Sequence, residues 1–389
     1  MKRVIDTERI PIKLWLDSIE EGALQQARNL ANLPFAFRHV ALMPDAHEGF
    51  GMPIGGVLAT EGAIIPNAVG VDIGCGMCAL KSSLTHMDIK KLKNIMSGIR
   101  KLIPLGFKHH QHKQELSSMP EEANIISGGI VDQEFEHARE QVGTLGGGNH
   151  FIEIQQGSDG MIWIMVHSGS RNIGHKVAEH YNRIAKGLNE KWHSGVEKSV
   201  NLAFLPMETD EAERYLKEMQ YCIDFAFANR KLMMKNIQSV FSEVYGDKFS
   251  EMEFINIAHN YARRENHFGR DILVHRKGAT SAREGEMGII PGSQGTKSYI
   301  VKGKGNSESF TSCSHGAGRV MGRKQAQRTL DLKSEIERLD RQGIVHAIRS
   351  QRDLDEAPGA YKNIDEVMRN QEDLVDILVE LSPLAVIKG

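Results

Sequence analysis

Residues 66–77 read PNAVGVDIGCGM, and the rest of the chain is organised around this stretch. An apolar run leads into a turn with one carboxylate, Asp72, and one thiol, Cys75, and Gly74 and Gly76 flank the thiol. Glycine allows a backbone to bend sharply or to approach another group closely. The carboxylate and the thiol, three residues apart, are placed to bind one metal ion. Taken alone, however, this pattern is more typical of a buried structural cysteine.

Three further stretches place a histidine after or within an apolar segment, at 146–150 (GGGNH), 167–171 (HSGSR) and 259–260 (HN). Apolar runs before the second and third predict buried strands that deliver a histidine at their carboxyl ends, where functional residues commonly lie. With these stretches the central turn predicts a metal centre, whose candidate ligands are Asp72, Cys75, His150, His167 and His259.

The number and type of these ligands predict the chemistry of the metal centre. A single tetrahedral zinc takes four ligands, so five candidates indicate two ions that share one ligand, and a thiolate is suited to bridge them. Paired cations serve phosphoryl chemistry, because they neutralise the attacking and leaving oxygens. By ligand softness, thiolate and imidazole favour zinc or cobalt over manganese.

A strand predicted at 149–154 adds a second candidate site. Strand alternation places Asn149, Phe151 and Glu153 on the face opposite His150. An amide, an aromatic ring and a carboxylate on one face suit a nucleotide base pocket. The alternative is a half-buried strand on which Glu153 faces water.

The composition is that of an ordinary globular protein, with 389 residues, of which 40% are hydrophobic and 25% charged. The net charge of −2 restricts any nucleic-acid surface to a local patch. No apolar run is long enough to span a bilayer, the N-terminus does not resemble a signal peptide, and four cysteines are too few for a disulfide scaffold. We therefore expect reduced thiols, a cytoplasmic location and no membrane partner. Because the motifs run from residue 45 to residue 388, we also expect one compact domain, 1–389.

The coarse pattern predicts an α+β fold, with mixed β-sheets flanked by helices. A strand hairpin is predicted over 57–65, a functional or solvated loop over 44–56, and a strand at the very end of the chain. A histidine-rich segment, 107–113, is predicted to be an exposed loop rather than a metal site. Helices are predicted over 87–103, 175–193, 210–244, about 312–340 and 364–381.

His315 differs from the other histidines because it lies among glycine and arginine rather than at the end of an apolar run. The segment 312–319 is predicted to open a helix with Arg319 in its first turn, an arrangement that binds phosphate. This setting suits a nucleophile better than a metal ligand. The loop 291–298 is rich in small residues but does not match the phosphate-binding P-loop pattern.

Together these stretches resemble the RtcB family of RNA ligases over essentially the whole chain. The motifs that carry the resemblance are 72–77, 146–153, 167–171, 259–260, 291–293, 314–319 and the closing 386–389. The family joins an RNA 3′-phosphate or 2′,3′-cyclic phosphate to a 5′-hydroxyl with GTP and manganese, in RNA repair and tRNA splicing. The resemblance thus implies manganese where ligand softness alone favours zinc.

The resemblance also implies residue roles. Cys75 would bridge two manganese ions, Asp72 and His150 would complete the ligands of one, and His167 and His259 those of the other. His315 would attack the GTP α-phosphate to form a covalent histidine–GMP, and GMP would then pass to the RNA 3′-phosphate. The residues implied to hold the guanylate are Asn149, Phe151, Glu153, Ser293, Ser298, His315, Arg319 and Lys388, with Glu153 reading guanine. Those implied to lie near the phosphates and the RNA end are Asp45, Arg171 and Arg319.

Two positions depart from the family pattern, Asn172 in place of glycine and Gly322 in place of serine. The alternatives to a ligase are a two-metal phosphoesterase with the same ligands and a catalytically weak GTP- or RNA-binding paralogue. His315, together with the Glu153 and Lys388 pocket, favours the ligase. The family further implies an activating partner that resembles archease.

Overall fold

Two large β-sheets form the framework of the protein, whose computed structural model describes residues 1–121 and 125–389. The six-stranded sheet contains, in spatial order, β1 (Arg3–Ile5), β2 (Ile12–Leu14), β3 (Ala36–Phe50), β4 (Met52–Thr60), β12 (Arg270–Lys277) and β11 (Asn260–His267). The seven-stranded sheet contains β10 (Glu251–Ala258), β6 (Gly76–Ser82), β8 (Ile162–Ser168), β7 (Phe151–Gly157), β17 (Val375–Lys388), β15 (Ser298–Gly303) and β14 (Met287–Ile290). Neighbouring strands are antiparallel throughout, except for the parallel pair β2–β3.

Two short strand pairs and the helices complete the fold. The pairs are β13 (Ala279–Ser281) with β16 (Ser312–Ser314), and β5 (Ala63–Ile64) with β9 (Leu205–Pro206). The helices are α1 (Glu21–Ala31), α2 (Pro66–Val69), α3 (Ile89–Leu102), α4 (Ile130–Gln141), α5 (Arg171–Lys191), α6 (Asp210–Tyr245), α7 (Arg323–Thr329), α8 (Leu332–Arg341) and α9 (Ile364–Arg369). The α+β fold with helices flanking its sheets is confirmed. None of the helices in the described part of the chain is long and apolar enough to cross a membrane.

The predicted helices α3, α5 and α6 are confirmed. Their apolar faces explain them, together with capping side chains on α3 and α6. The Asp88 side chain accepts the first free backbone N–H groups of α3, from Lys90 and Lys91. Thr209 caps α6 in the same way. Apolar side chains of α3 and α6 pack against the face of the seven-stranded sheet that carries Ile152 and Ile164.

The predicted helix over 312–340 is wrong in its first part. Residues 312–314 form β16 and pair with β13, and the helix α7 begins only at Arg323. Gly318 has a φ of 73°, a left-handed conformation that interrupts a helix. His315 and Arg319 therefore lie on a loop between β16 and α7 rather than at a helix N-terminus.

The predicted helix over 364–381 is also too long. Helix α9 ends at Arg369, and from Val375 the chain becomes β17, which pairs with β15 on one side and β7 on the other. These hydrogen bonds to two strands override the weak helical periodicity. The strand predicted at the end of the chain is confirmed, because β17 runs to Lys388.

Two smaller predictions were wrong in pairing. The segment 44–56 belongs to the irregular hairpin of β3 and β4 rather than to a loop. Residues 63–64 pair with β9 instead of folding back on β4. The pairing of β3 with β4 shifts register between Leu42 and His47. This irregularity allows the glycine- and histidine-rich segment 44–56 to remain part of the sheet.

Candidate active site and metal centre

The turn Asp72–Cys75 connects α2 to β6 and is fixed by backbone hydrogen bonds. The Cys75 N–H donates to the Asp72 carbonyl (3.1 Å), and the Gly74 N–H donates to the Asn260 carbonyl (2.8 Å). The His259 N–H in turn donates to the Cys75 carbonyl (2.8 Å). These bonds bring His259, distant in sequence, beside the thiol.

The seven-stranded sheet brings the other two histidines to the same place. In the β6–β8 pair, Met77 lies opposite His167, and in the β7–β8 pair His167 lies opposite Phe151, directly after His150. The His167 Nε2 lies 3.3 Å from Cys75 Sγ, and the His150 Nε2 lies 3.5 Å from it. The His150 Nε2 is also 3.1 Å from Asp72 Oδ2.

The five predicted ligands form two groups that share the thiol. Cys75, His167 and His259 form one group, and Asp72, Cys75 and His150 form the other. Within each group the ligand atoms lie within 4.8 Å of one another. This arrangement is the one that two ions with a bridging thiolate require.

The outward-facing nitrogens of the histidines support the same interpretation. The His150 Nδ1 is 2.9 Å from the Leu145 carbonyl, and the His167 Nδ1 is 3.1 Å from the Asn149 carbonyl. A carbonyl only accepts, so each Nδ1 carries a proton. The His167 Nε2 then presents a lone pair, as in most metal-binding histidines, whereas the His150 Nε2 faces the Asp72 carboxylate, and a bound cation would take the place of the proton between them. The buried Nδ1 of His259 has no hydrogen-bond partner among the described residues, which suits a nitrogen that binds a cation. The residues present fit a pair of metal ions.

The electrostatics of the cluster favour cation binding. Burial opposes ionisation of Asp72, but the hydrogen bond and charge of His150 hold the pKa of that carboxyl at about 2. Burial, together with the positive neighbours of each ring, lowers the pKa of His167 and His259 well below the usual value, so both are neutral. Burial and the charge of Asp72 raise the pKa of the Cys75 thiol well above its usual value. The thiolate therefore needs an adjacent cation.

His315 lies next to this cluster and is held by Asp45. The ring centroids of His315 and His259 are 4.8 Å apart. The fully buried Asp45 accepts from His315 Nδ1 (2.6 Å) and from its backbone N–H (3.1 Å), both through Oδ2. Burial alone would raise the pKa of Asp45, but the charge of His315 and its hydrogen bond lower it. An ionised carboxylate only accepts, so Nδ1 carries a proton, and the His315 Nε2 presents a lone pair whenever the ring is neutral.

A cavity of about 720 Å³ opens beside His315. Among the residues that line it are most of those predicted to hold a guanylate, namely Asn149, Phe151, Glu153, Ser293, His315, Arg319 and Lys388. Ser298 lies behind the wall, where its hydroxyl accepts from the Gly292 N–H (3.1 Å). Asp45 and Arg171 lie outside this lining.

Glu153 is buried in the wall of the cavity rather than facing water. Its Oε2 accepts from Gln155 Nε2 (2.7 Å), whereas its Oε1 is buried without a hydrogen-bond partner in the part of the chain that the structure describes. Burial raises the pKa of Glu153 well above its usual value, although the Gln155 hydrogen bond and the charge of Lys388 act in the opposite direction. A ligand with N–H donors would satisfy this oxygen.

Comparison with known proteins assigns the family. A family model described as tRNA-splicing ligase RtcB matches residues 26–132 and 126–389. The RNA-splicing ligase RtcB of Escherichia coli K12 is 39% identical over 99% of each chain. The chain belongs to the RtcB family. The tRNA-splicing ligase RtcB of Thermococcus kodakarensis is 32% identical over 98% of this chain and 95% of its own. The RNA-splicing ligase RtcB homolog 2 of Entamoeba dispar is 31% identical, over 95% and 84%.

One group in this RtcB site was not predicted from the sequence, a buried carboxylate, Glu356. It accepts from Arg319 Nη1 (3.0 Å), from Arg323 Nε (2.8 Å) and from the Tyr361 hydroxyl. The charge of Lys388 also acts on it. Glu356 follows an unremarkable polar segment, 350–355, so only the folded chain reveals that it organises this wall.

Helix α6 supplies a second unpredicted group behind the metal ligands. The buried Arg230 donates through Nη1 to the Gly74 carbonyl (3.0 Å) and to the Ser168 carbonyl (2.9 Å). Its neighbour Asn229 donates to the Gly169 carbonyl (3.0 Å) and accepts from the Gly143 N–H (2.7 Å). Both tie ligand-bearing turns to one helix. Asn229 and Arg230 lie in the middle of α6 among apolar residues. A polar pair at this place in an apolar helix was the signal in the sequence that could have identified them.

Arg171 lies beside the candidate metal ligands and is not among the residues that line the cavity. Its Nε donates to Thr144 Oγ1 (3.3 Å), and a Cβ placed on Gly146 would lie 2.2 Å from its Nη1. Asp72 and Cys75 act on it electrostatically. Two residues depart from the RtcB pattern. Asn172 is exposed and donates to Glu134 (3.1 Å), and Gly322 has no other described group within 4 Å of an added Cβ.

Proposed function

We propose that the protein joins an RNA 3′-phosphate or 2′,3′-cyclic phosphate end to a 5′-hydroxyl end through a covalent His315–GMP intermediate, with GTP and two manganese ions. Membership of the RtcB family makes the protein an RNA ligase; the proposal concerns the ends, the cofactors and the route. The observation that carries it is the Asp45–His315 contact beside two groups of candidate metal ligands that share one thiol, and beside a cavity of about 720 Å³.

The two ions would be held by the five ligands of the cluster. Cys75 would bridge, with Asp72 and His150 on one ion and His167 and His259 on the other. When bound, the ions supply positive charge that neutralises phosphate oxygens. The assignment of manganese rests on the family resemblance, because the softness of the ligands would favour zinc.

In the first step His315 is the nucleophile. Its Nε2 lone pair attacks the α-phosphate of GTP, so that a phosphorus–nitrogen bond forms and pyrophosphate leaves. Asp45 keeps the proton on Nδ1 and stabilises the positive charge that develops on the ring, as a buried carboxylate does for a catalytic histidine elsewhere. No separate base is needed, because neutral imidazole already has a free lone pair.

In the following steps GMP moves from His315 to the RNA. An oxygen of the RNA 3′-phosphate attacks the phosphorus of GMP, which breaks the phosphorus–nitrogen bond and restores the imidazole. The 5′-hydroxyl then attacks the activated 3′-phosphate, loses its proton and displaces GMP. A 2′,3′-cyclic phosphate must first be opened by water to the 3′-phosphate. Arg171 is proposed to lie near the phosphates and the RNA end.

The lining of the cavity supports guanine as the base that the protein binds. The unpaired Glu153 Oε1 and its partner oxygen would accept from the Watson–Crick edge of guanine, which presents N–H donors where adenine differs. Phe151 and Lys388 lie at the same wall, with the Lys388 Nζ 5.7 Å from the Phe151 ring centroid. The further groups proposed to hold the guanylate are Asn149, Ser293, Ser298 and Arg319.

The test is an end-joining assay with defined RNA ends. With GTP and manganese, the protein should join a 3′-phosphate end to a 5′-hydroxyl end, and it should leave 3′-hydroxyl and 5′-phosphate ends unjoined. Release of phosphate from the 3′-end without joining, and without dependence on GTP, would instead identify the two-metal phosphoesterase. Binding of GTP and RNA with neither reaction would identify the inactive paralogue.

The cellular setting is proposed on the same basis. We propose a role in RNA repair or tRNA splicing in the cytoplasm, as a single ligase domain over 1–389 and with an archease-like activator. Such an activator would be identified if the protein completes its first turnover alone but requires a second protein for multiple turnovers.

A further inference from the structure

Phe107 is the most exposed large apolar side chain in the described chain, with 98% of its surface accessible. It begins the histidine-rich segment 107–113, to which the metal centre assigns no role. A single exposed apolar residue is ordinary on a protein surface. The position of Phe107 relative to the active site, however, is unusual.

The backbone holds Phe107 at the corner of a tight turn. The Lys108 N–H donates to the Leu105 carbonyl (3.2 Å), which closes a four-residue turn. Gly106, the first central residue, has a φ of 63°, a conformation that favours glycine. The ring therefore projects from a closed turn, with little conformational entropy to lose on binding.

This turn is attached to the segment that orients a metal ligand. The Leu145 N–H donates to the Pro104 carbonyl (3.0 Å), and the Gly106 N–H donates to the Gly146 carbonyl (3.0 Å). The Leu145 carbonyl accepts from His150 Nδ1. One backbone segment thus contacts the turn that carries Phe107 on one side and the metal cluster on the other.

The contact between Arg171 and Gly146 sets an upper limit on the distance between Phe107 and the active site. Its guanidinium lies against Gly146, the residue that binds Gly106. Summing the intervening bonds and contacts, the Phe107 Cα lies at most roughly 15 Å from that guanidinium. A strand whose terminal phosphate is near Arg171 would pass Phe107 within a few nucleotides.

The chemistry around Phe107 suits nucleic acid. Lys108, His109 and His112 are exposed. An exposed aromatic ring with adjacent cations is the arrangement with which proteins bind unpaired bases and their phosphates. A protein interface instead needs a contiguous apolar patch, and the residues that follow Phe107, from Lys108 to Lys113, are polar.

We propose that Phe107 stacks on a base of the single-stranded RNA next to the end being joined, and that Lys108 neutralises an adjacent phosphate. The proposal rests on the proposed ligase function, because that function places an RNA end at the metal centre. It adds a requirement that the end be unpaired for several nucleotides, since a base within a duplex is not free to stack on Phe107.

The test measures binding of a fluorescent single-stranded RNA with a 3′-phosphate by anisotropy, with manganese and without GTP. Phe107→Ala should raise the Kd about 5- to 100-fold. Phe107→Trp should keep the wild-type Kd, and Phe107→Leu, which is apolar but lacks an aromatic face, should behave like Phe107→Ala. A blunt duplex should show no difference between these variants.

Trp192→Ala is the matched control. Trp192 is 43% exposed and follows the last turn of α5. Since α5 begins at Arg171 and rises about 1.5 Å per residue, Trp192 lies roughly 30 Å from the site. Its removal should leave the Kd unchanged.

The labelling of the protein by GTP separates this proposal from the ligase function. Labelling in the absence of RNA should be the same in wild type and Phe107→Ala. If wild type is not labelled, the ligase route fails, and the anisotropy series still decides whether Phe107 binds RNA. An unchanged Kd in Phe107→Ala, or a wild-type Kd in Phe107→Leu, would overturn stacking. If Phe107→Ala binds RNA as wild type does but its ligation is no longer stimulated by a second protein, stacking would also be overturned, and Phe107 would belong to a protein interface.

Discussion

The contact between Asp45 and His315 is the central feature at the scale of single residues. The family resemblance implied that Asp45 lies near the phosphates and the RNA end, and the structure pairs it with the His315 Nδ1 at 2.6 Å. The side chains are 270 residues apart, so no local pattern indicated their pairing. In the proposed mechanism, this pairing is what allows a histidine on a loop, without a helix N-terminus, to act as the nucleophile.

Replacement of the buried carboxylate tests this role. Asp45→Asn should lower the rate of protein labelling by GTP about 10²- to 10⁴-fold, because the amide no longer fixes the tautomer or stabilises the positive ring. Metal content should be unchanged, because Asp45 belongs to neither ligand group. Labelling at the wild-type rate would show that His315 needs no positioning carboxylate.

Guanine selectivity is argued from Glu153. Glu153→Gln replaces an acceptor by an amide, and the preference for GTP over ATP should fall about 10- to 100-fold, since one bidentate contact contributes about 1–3 kcal/mol. Competition of ATP with labelled GTP measures the preference. Glu380→Gln, which alters an exposed carboxylate on the same sheet, serves as the control. An unchanged preference in Glu153→Gln would locate base recognition elsewhere.

At the scale of elements, the sequence predicted those with a strong local signal and missed those set by distant pairing. Helices α3, α5 and α6 have long apolar faces, α3 and α6 also have capping side chains, and all three were predicted. The strand β17 was taken in part for a helix, because its identity depends on β7 and β15 on either side. The start of α7 was misplaced for a related reason, since β16 is a strand only because it pairs with β13.

The loop between β16 and α7 depends on one glycine. A Cβ on Gly318 would lie 2.3 Å from the Asp45 carbonyl oxygen, and its φ of 73° is left-handed. Gly318→Ala should therefore displace Asp45 or His315 and abolish labelling by GTP. Gly343 has a φ of 70° but no other group within 4 Å of an added Cβ. Gly343→Ala should lower the free energy of unfolding by about 1–2 kcal/mol, but the variant should still be labelled by GTP. The comparison separates the effect of backbone strain from the effect of displacing Asp45 or His315.

At the scale of the whole molecule, the two sheets and α6 bring residues from 45 to 388 to one cavity and one metal cluster. The motifs predicted the five metal candidates and seven residues of the cavity wall, because each occurs in a recognisable local stretch. Glu356 and Arg230 could not be predicted in this way, since their roles consist of contacts with Arg319, Arg323 and the backbone of distant turns.

The proposed metal pair depends on the assembled fold and has a matched control. Cys75→Ala should lose both tightly bound manganese ions, measured by mass spectrometry of the dialysed protein, and with them the rise in Tm that metal gives to wild type. Cys78 is equally buried, but its thiol faces the Arg230 carbonyl, so Cys78→Ala should keep both ions. Two tightly bound ions in Cys75→Ala would contradict a bridging thiolate.

The covalent attachment of GMP to His315 is the central claim, and labelling with α-phosphate-labelled GTP and manganese tests it most directly. Wild type should acquire a label that acid removes and alkali does not, as expected of a phosphoramidate. His315→Ala should acquire none, keep its metal, and still seal RNA that already carries a 3′-guanylylated end. Persistent acid-labile labelling of His315→Ala, or sealing of unactivated RNA by that variant, would contradict the account.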